Sequence, residues 1–461
     1  MLAVLISTYE LGHQPFGLGS PAAWLSAAGA EVKCMDLAIN RLDEGTVFAA
    51  DLVAFYLPMH TATRIATRVI ERVRALNPRA RLAAYGLYAP MNSDLLRRLG
   101  VQDVIGGEFE DELVGLLKPT DTSANSYKER VSLSKLHFRV PDRSTLPPLD
   151  QYAFLTMPEG DRKTVGYTEA SRGCKHRCRH CPVVPVYDGH FRVVQRDIVL
   201  EDIRQQVHAG AQHITFGDPD FFNGSRHAVE IVRALREEFS GITYDVTIKI
   251  EHLLKLVDRL PILRDTGCAF VTTAVESLDD RVLEILDKGH TRADFIEVVH
   301  ASRKVGLPIV PTFVTFTPWL TLGSYRDLLW TLAELDLIDQ VPSVQLAIRL
   351  LIPSGSLLLD VPEAQSILGP FDEAALSYSW VHPDPRVDSL QRDVEGKVQE
   401  LSARGANRRE IFEEIWRLVH QYMERPAVPL PPPQTVCKAV PYLSEPWYCC
   451  AEPTSEQLEA F

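Results

Sequence analysis

Apolar residues in the first 118 positions come in short unbroken runs, separated by longer stretches of helical period. The runs at 2–7, 31–37, 50–57, 81–86 and 103–105 predict strands, and the stretches between them predict helices, notably at 21–28 and 61–76. Strands apolar on both sides, alternating with amphipathic helices, predict a parallel, doubly wound sheet covered on both faces. Ligands of such sheets bind beyond the carboxyl ends of the strands, which makes segment 8–15, including His13, a candidate loop. The same region holds Gly12, Pro15, Gly17 and Gly19, so it reads equally well as a loop shaped only by its turns.

Residues 119–160 are mostly polar and include a Ser-Thr-Leu-Pro-Pro-Leu run, the composition of a linker. The rhythm returns over 161–360, with strands predicted at 164–169, 213–216, 244–250, 269–275, 309–316 and 344–351 and helices between them. Six successive strand–helix units predict a partial (β/α)6 barrel, with functional residues at the carboxyl ends of its strands. Residues 361–461 form a helical C-terminal region with an amphipathic helix at 407–422. A proline run and a tail containing Cys437, Cys449 and Cys450 follow.

Composition narrows the class. A chain of 461 residues, 46% hydrophobic and 24% charged, has material for two to four cored domains. A net charge of −13 counts against a broad polyanion-binding surface and, with no evident RNA-binding module, against a nucleic-acid partner. No apolar run approaches the ~18 residues of a membrane span, so no membrane partner is expected. The start of the chain has no basic lead or cleavage site, and eight cysteines are too sparse for a disulfide framework; both point to the cytoplasm.

The densest chemistry is Cys174-Lys-His-Arg-Cys178-Arg-His180-Cys181, a C-x3-C-x2-C loop directly after the first predicted barrel strand. Three thiolates on one short loop suit an iron–sulfur cluster, and on a four-iron cluster they leave one iron open for substrate. The alternative is a structural zinc completed by His176 or His180, but a loop at the active-site end of a barrel argues against it. Nearby cations, Arg172 and Lys175 among them, read partly as solvated surface and partly as offsetting cluster charge.

These residues resemble the radical S-adenosylmethionine (radical SAM) superfamily. The resemblance implies a [4Fe-4S] cluster on Cys174, Cys178 and Cys181, S-adenosylmethionine on the open iron, and an electron donor of the flavodoxin or ferredoxin type. Gly217-Asp218-Pro219, after the second strand, stands where the family's Gly-Gly-Glu segment meets the SAM amino group, with only the glycine and the turn kept. Glu276-Ser277 resembles the ribose-contacting segment. Thr312 and Ile352 resemble the adenine-binding edge, where His180 replaces the usual aromatic residue. Glu276 also reads as a helix N-terminal carboxylate, and Lys249, with Glu251 and His252, as a solvated edge or a ligand-facing one.

A doubly wound domain before such a barrel is similar to the cobalamin-binding radical SAM class. The usual Asp-x-His-x-x-Gly motif is absent around His13, which leaves cobalamin open. The tail Trp-Tyr-Cys449-Cys450-Ala-Glu-Pro, together with segment 185–194, closely resembles the radical SAM family named for its Cys-Cys-Ala-Glu-Pro or selenocysteine-containing tail. Adjacent thiolates can clamp a thiophilic atom, so Cys449 and Cys450, with Cys437, are candidate catalytic residues. The expectation is an enzyme that cleaves SAM and passes a SAM-derived group, with 3-amino-3-carboxypropyl favoured, to a small thiophilic substrate. The alternatives are cobalamin-dependent methylation and a non-catalytic metal or metalloid carrier.

Overall fold

The computed structural model describes residues 1–118, 128–432 and 440–444. The N-terminal sheet is wholly parallel, in the order β2-β1-β3-β4-β5-β6. Its strands are β1 (Leu2–Ser7), β2 (Glu31–Asp36), β3 (Leu52–Tyr56), β4 (Arg81–Tyr85), β5 (Asp103–Gly107) and β6 (Lys128–Ser132). Successive side chains of a strand point to opposite faces. Accordingly Val4 and Ile6 pack with the apolar stripe of helix His60–Leu76, while Ala3 and Leu5 pack with helix Phe16–Ala27. Both faces are therefore dry, as the unbroken apolar runs required.

Two local departures have physical causes. The first helix starts at Phe16, so Pro21 lies inside it. Proline has no N–H to offer the carbonyl four residues back, and the Tyr85 hydroxyl donates to that Gly17 carbonyl instead, at 2.8 Å. β6 comes from the stretch expected to be a linker. Its Lys-Glu-Arg-Val-Ser sequence is polar because it is an edge strand, where charge discourages further pairing.

After β7 (Phe154–Thr156) and β8 (Arg162–Thr168), β9 (Ser171–Gly173) and β10 (Phe191–Val193) form an antiparallel ribbon. The parallel strands β11 (His213–Phe216), β12 (Thr243–Thr247), β13 (Cys268–Glu276) and β14 (Ile309–Phe313) then extend β8 into a half-barrel. The sixth strand expected at 344–351 does not form: Ser343–Leu346 is a 3-10 turn, and a single bridge joins Phe316 to Arg349. The Gln345 side chain does the edge strand's work, its Oε1 accepting the Phe313 N–H at 2.7 Å. The barrel therefore has five parallel strands.

The C-terminal region adds a hairpin, β15 (Leu368–Asp372) and β16 (Ser377–Trp380), and two helices, Pro385–Ala403 and Arg408–Tyr422. Only the second helix was expected. Both pack into the barrel's main apolar cluster, through Leu390 and Val394 on one and Phe412 and Ile415 on the other. β17 (Tyr442–Leu443) returns to pair with β7. Among the described residues no helix is long and apolar enough to cross a membrane.

Candidate functional site

The cysteine loop leaves the end of β9 through Gly173. At φ +74°, with a Cβ that would lie 2.4 Å from the Tyr187 ring and 2.5 Å from the His190 carbonyl, only glycine fits there. The loop closes as the Cys181 N–H donates to the Cys178 carbonyl, and β10 pairs back on β9. Asn223 braces its start, accepting the Lys175 N–H at 3.2 Å. Cys174, Cys178 and Cys181 then line one cavity of about 100 Å³ at the carboxyl ends of the half-barrel strands.

Burial pushes the Cys181 thiol up to about 12 and raises Cys174 as well. Such thiols ionise when a cation arrives to compensate them, which is what a metal centre does. A single tetrahedral ion with bonds of ~2.3 Å would draw its sulfurs to within roughly 4 Å of each other. Among the described residues the donors that converge within 4.8 Å are those of Cys174, His176 and Asp220, not the three sulfurs together. Three thiols lining one cavity suit a polynuclear cluster. The Cys174–His176–Asp220 set is the arrangement a lone ion would use.

Glu276 ends β13 at a break in its register with β14, in the left-handed region at φ +67°. Strain of this kind in a non-glycine residue persists where surrounding contacts impose it. Here the bend presents the carboxylate to the same cavity. Lys288 Nζ donates to Glu276 Oε1 at 3.2 Å, and His180 Nε2 lies 3.2 Å from the same oxygen. Burial alone would raise this carboxyl, but the Lys288 ammonium and the His180 contact hold it at about 2. Lys249, on the same cavity, lies 3.5 Å from Glu251. It is buried, as is His252, so this edge is not solvated.

The other expected residues separate. Gly217 is held against Tyr167, whose hydroxyl oxygen would lie 1.9 Å from a Cβ. Pro219 lines the cysteine cavity. Asp218 instead clamps the end of β8, accepting from the Ala170 N–H and the Ser171 hydroxyl, both at 2.8 Å; burial pushes it up to about 7. Ser277 accepts the Asp279 N–H ahead of the next helix. Thr312 is half-buried beside Ala274. Ile352 is fully buried in an apolar cluster with Val314, Leu350 and Trp380 rather than at the cavity. Cys437, Cys449 and Cys450 lie outside the described residues. Asp220, which closes the Gly217-Asp218-Pro219-Asp220 segment but is given no role of its own by the sequence, stands 3.4 Å from His176 and 2.6 Å from His252.

Arg172 is not solvated surface. It is buried between Glu169 at 2.6 Å on the barrel and Glu110 and Glu108 at 2.8 and 3.4 Å on the N-terminal domain. A pocket of about 180 Å³ lies beside it, between the carboxyl ends of the N-terminal strands and the barrel. A second cavity, of about 330 Å³ and lined by Thr8, Gly12 and His13, adjoins the 8–15 loop. Neither is large for a corrin, which exceeds the ligands of ordinary ~300–1,000 Å³ pockets. Gly17 lies so close to the Tyr56 ring that a Cβ would sit 2.1 Å from it. His13 is turned aside, its ring 4.8 Å from that of Tyr167. These residues do not fit cobalamin as they stand, and no step below runs through it.

Burial also holds the His13 imidazole at about 4, and that of His60 likewise. Unfolded imidazoles titrate near ~6.5, so between that pH and about 4 the unfolded chain binds more protons and stability falls as pH falls. Calorimetric Tm measured from about pH 7 down to about pH 5 is expected to drop, and His13→Phe to lose less over that interval than the wild type.

Residues 168–333 match the family model of the Radical SAM superfamily. An uncharacterized methyltransferase of Pyrococcus horikoshii is 25% identical over 174 residues, 37% of this chain and 38% of that protein. Threonylcarbamoyladenosine tRNA methylthiotransferase MtaB of Aquifex aeolicus is 22% identical over 246 residues, 51% of this chain and 56% of its own. The chain thus spans between a third and three fifths of these two relatives. The solved structure of the cobalamin-dependent S-adenosylmethionine radical enzyme OxsB, with aqua-cobalamin and S-adenosylmethionine bound, superposes with a TM-score of 0.68. It is 13% identical and covers 87% of this chain and 67% of its own. At that identity the likeness shows the fold alone, a doubly wound parallel-sheet domain joined to a half-barrel. The finer resemblance carried by the Cys-Cys tail is not among these matches. The expectation against a nucleic-acid partner is corrected: several relatives, MtaB among them, are tRNA-modifying enzymes.

Proposed function

From a chain whose residues 168–333 are a catalytic radical SAM domain, we propose that the protein cleaves S-adenosylmethionine reductively and passes a SAM-derived carbon group to an acceptor. The observation that carries this reading is the single cavity that holds three thiols and the Glu276–Lys288–His180 contact at the carboxyl ends of the strands. Cys174, Cys178 and Cys181 would hold a [4Fe-4S] cluster, which when bound would supply the single electron needed to break a C–S bond of the sulfonium.

The chain's own residues do the positioning. Glu276, ionised across the working pH range, accepts from ligand hydroxyl or ammonium groups. Lys249 and Lys288 place buried positive charge beside the ligand's carboxylate. Gly217 and Pro219 bring backbone close to the ligand's amino end. The transferred fragment we favour is 3-amino-3-carboxypropyl, on the resemblance alone; a thiophilic acceptor near Cys449 and Cys450 rests on the same ground.

The test is anaerobic reconstitution with iron and sulfide, reduction with dithionite, addition of SAM, and chromatography of the nucleosides, with arsenite and unmodified tRNA as separate acceptor arms. 5′-Methylthioadenosine is expected. 5′-Deoxyadenosine would keep the SAM-cleaving reading but replace the aminocarboxypropyl group with hydrogen abstraction or methylation. Bound zinc with neither nucleoside would overturn the proposal in favour of a metal carrier.

A further inference from the structure

The pocket between the two domains has a charge imbalance that the cysteine cavity does not explain. Glu10, Glu169 and Arg172 line it, with Tyr56 and Tyr167. Glu108 and Glu110 stand behind Arg172, so one guanidinium meets four carboxylates. Three of those carboxylates bond to Arg172 and the fourth does not. Glu10 is only 6% exposed, and its Oε2 has no hydrogen-bond partner among the described residues. A buried carboxylate oxygen without a partner is costly, and it is retained where something else completes it.

Glu10 borders this pocket and also a second cavity behind the loop. Tyr56, Tyr167 and Glu169 line the inter-domain pocket with it. Burial and the Glu169 charge push its own carboxyl well above the usual range, as expected of an acid that lacks its counter-ion. Aromatic rings beside carboxylates are the usual company of a bound ammonium or guanidinium group. The pocket also touches the chemistry: Gly173, next to Cys174, and Gly217 line it, and Pro219 lines both it and the cysteine cavity.

We propose that this pocket binds the positively charged nitrogen of the acceptor, an ammonium or guanidinium group, between Glu10 and Glu169. The inference rests on the SAM-cleaving reading above for its link to the acceptor, but not for the binding itself. The group completes the missing counter-charge and anchors the acceptor from the N-terminal side of the cavity, leaving its reactive atom to face the SAM-binding turn.

The probe is n-butylammonium chloride, titrated by calorimetry into the full chain at constant ionic strength, with butan-1-ol and sodium butyrate as neutral and anionic counterparts. Saturable binding is expected for the ammonium and not for the other two, weakened at least about tenfold by Glu10→Gln. SAM affinity, measured in parallel, should be unchanged by that substitution. If the wild-type protein binds butylammonium no better than butanol, the proposal fails without any appeal to the variant. Equal binding by a folded Glu10→Gln protein would also overturn it. Loss of SAM binding in the wild type would instead refute the SAM-cleaving reading, so the two failures are separable.

Discussion

Cys178→Ala is expected to lower iron from about four atoms per chain to a trace and to reduce SAM cleavage to below about a thousandth of the wild-type rate. Cys178 is buried in a loop whose ends are tied independently of its sulfur, by the β9–β10 pairing and by Asn223. The variant should therefore fold with a circular dichroism spectrum and Tm close to those of the unloaded wild type, so that the loss reports on the cluster. Asp220→Asn separates the two metal readings. It removes a donor from the Cys174–His176–Asp220 set and leaves all three thiols in place. If a cluster is bound, iron stays near four in Asp220→Asn and disappears in Cys178→Ala. If a lone ion is bound by that set, Asp220→Asn loses the metal while Cys178→Ala, whose residue is not in the set, keeps it, and iron and sulfide analysis would show no sulfide in either protein.

Glu276→Gln is expected to weaken SAM binding by about a hundredfold while preserving the shape of the cavity. The substitution removes the carboxylate that pairs the buried Lys288, and leaving such a cation alone costs about 3–5 kcal/mol of stability. Lower Tm and lower SAM affinity would then arrive together, so a second variant is needed to part them. Glu276→Gln with Lys288→Met removes both charges, and its Tm should recover most of the loss. Its SAM affinity should not recover, and because Lys288 lines the same cavity the diagnostic result is a recovery. If affinity returned with stability, Glu276 would be holding the fold and not the ligand. The pH dependence has a fixed sign: a carboxyl held at about 2 in the folded protein contributes its stability above the unfolded value of ~4.3. That contribution falls away as pH drops toward 2. Normal working pH should therefore leave the pair intact.

Local pattern carried much of the architecture. β1 to β5 of the N-terminal sheet and the five parallel strands of the half-barrel announced themselves as apolar runs, because the central residues of most are buried on both faces. β6 was hidden because an edge strand facing solvent needs charge, which reads as linker. Helix Pro385–Ala403 had its start written in the sequence: Asp384 accepts the Arg386 N–H and Pro385 follows it in the first turn. The overlooked signal was the spacing of Val387, Leu390, Val394 and Val398. The sixth strand failed for the opposite reason, since an apolar run at 344–351 found its hydrogen bonds through a Gln345 side chain that periodicity cannot reveal.

The candidate site divides along the same line. By itself the sequence brought the three thiols of Cys174, Cys178 and Cys181 together, because three cysteines within eight residues need no fold to be neighbours. It also determined the alternation that puts a loop of that kind at the carboxyl end of a parallel strand. Only the tertiary structure decided that Glu276 turns inward at φ +67° onto Lys288 and that Ile352 turns away into the core. It alone set Arg172 against Glu108 and Glu110 and left Glu10 Oε2 without a partner among the described residues. Those outcomes depend on charges brought together from separate elements, 12 positions apart for Glu276 and Lys288 and 64 for Glu108 and Arg172. Periodicity records how each segment is buried, and it is silent on which segment lies opposite.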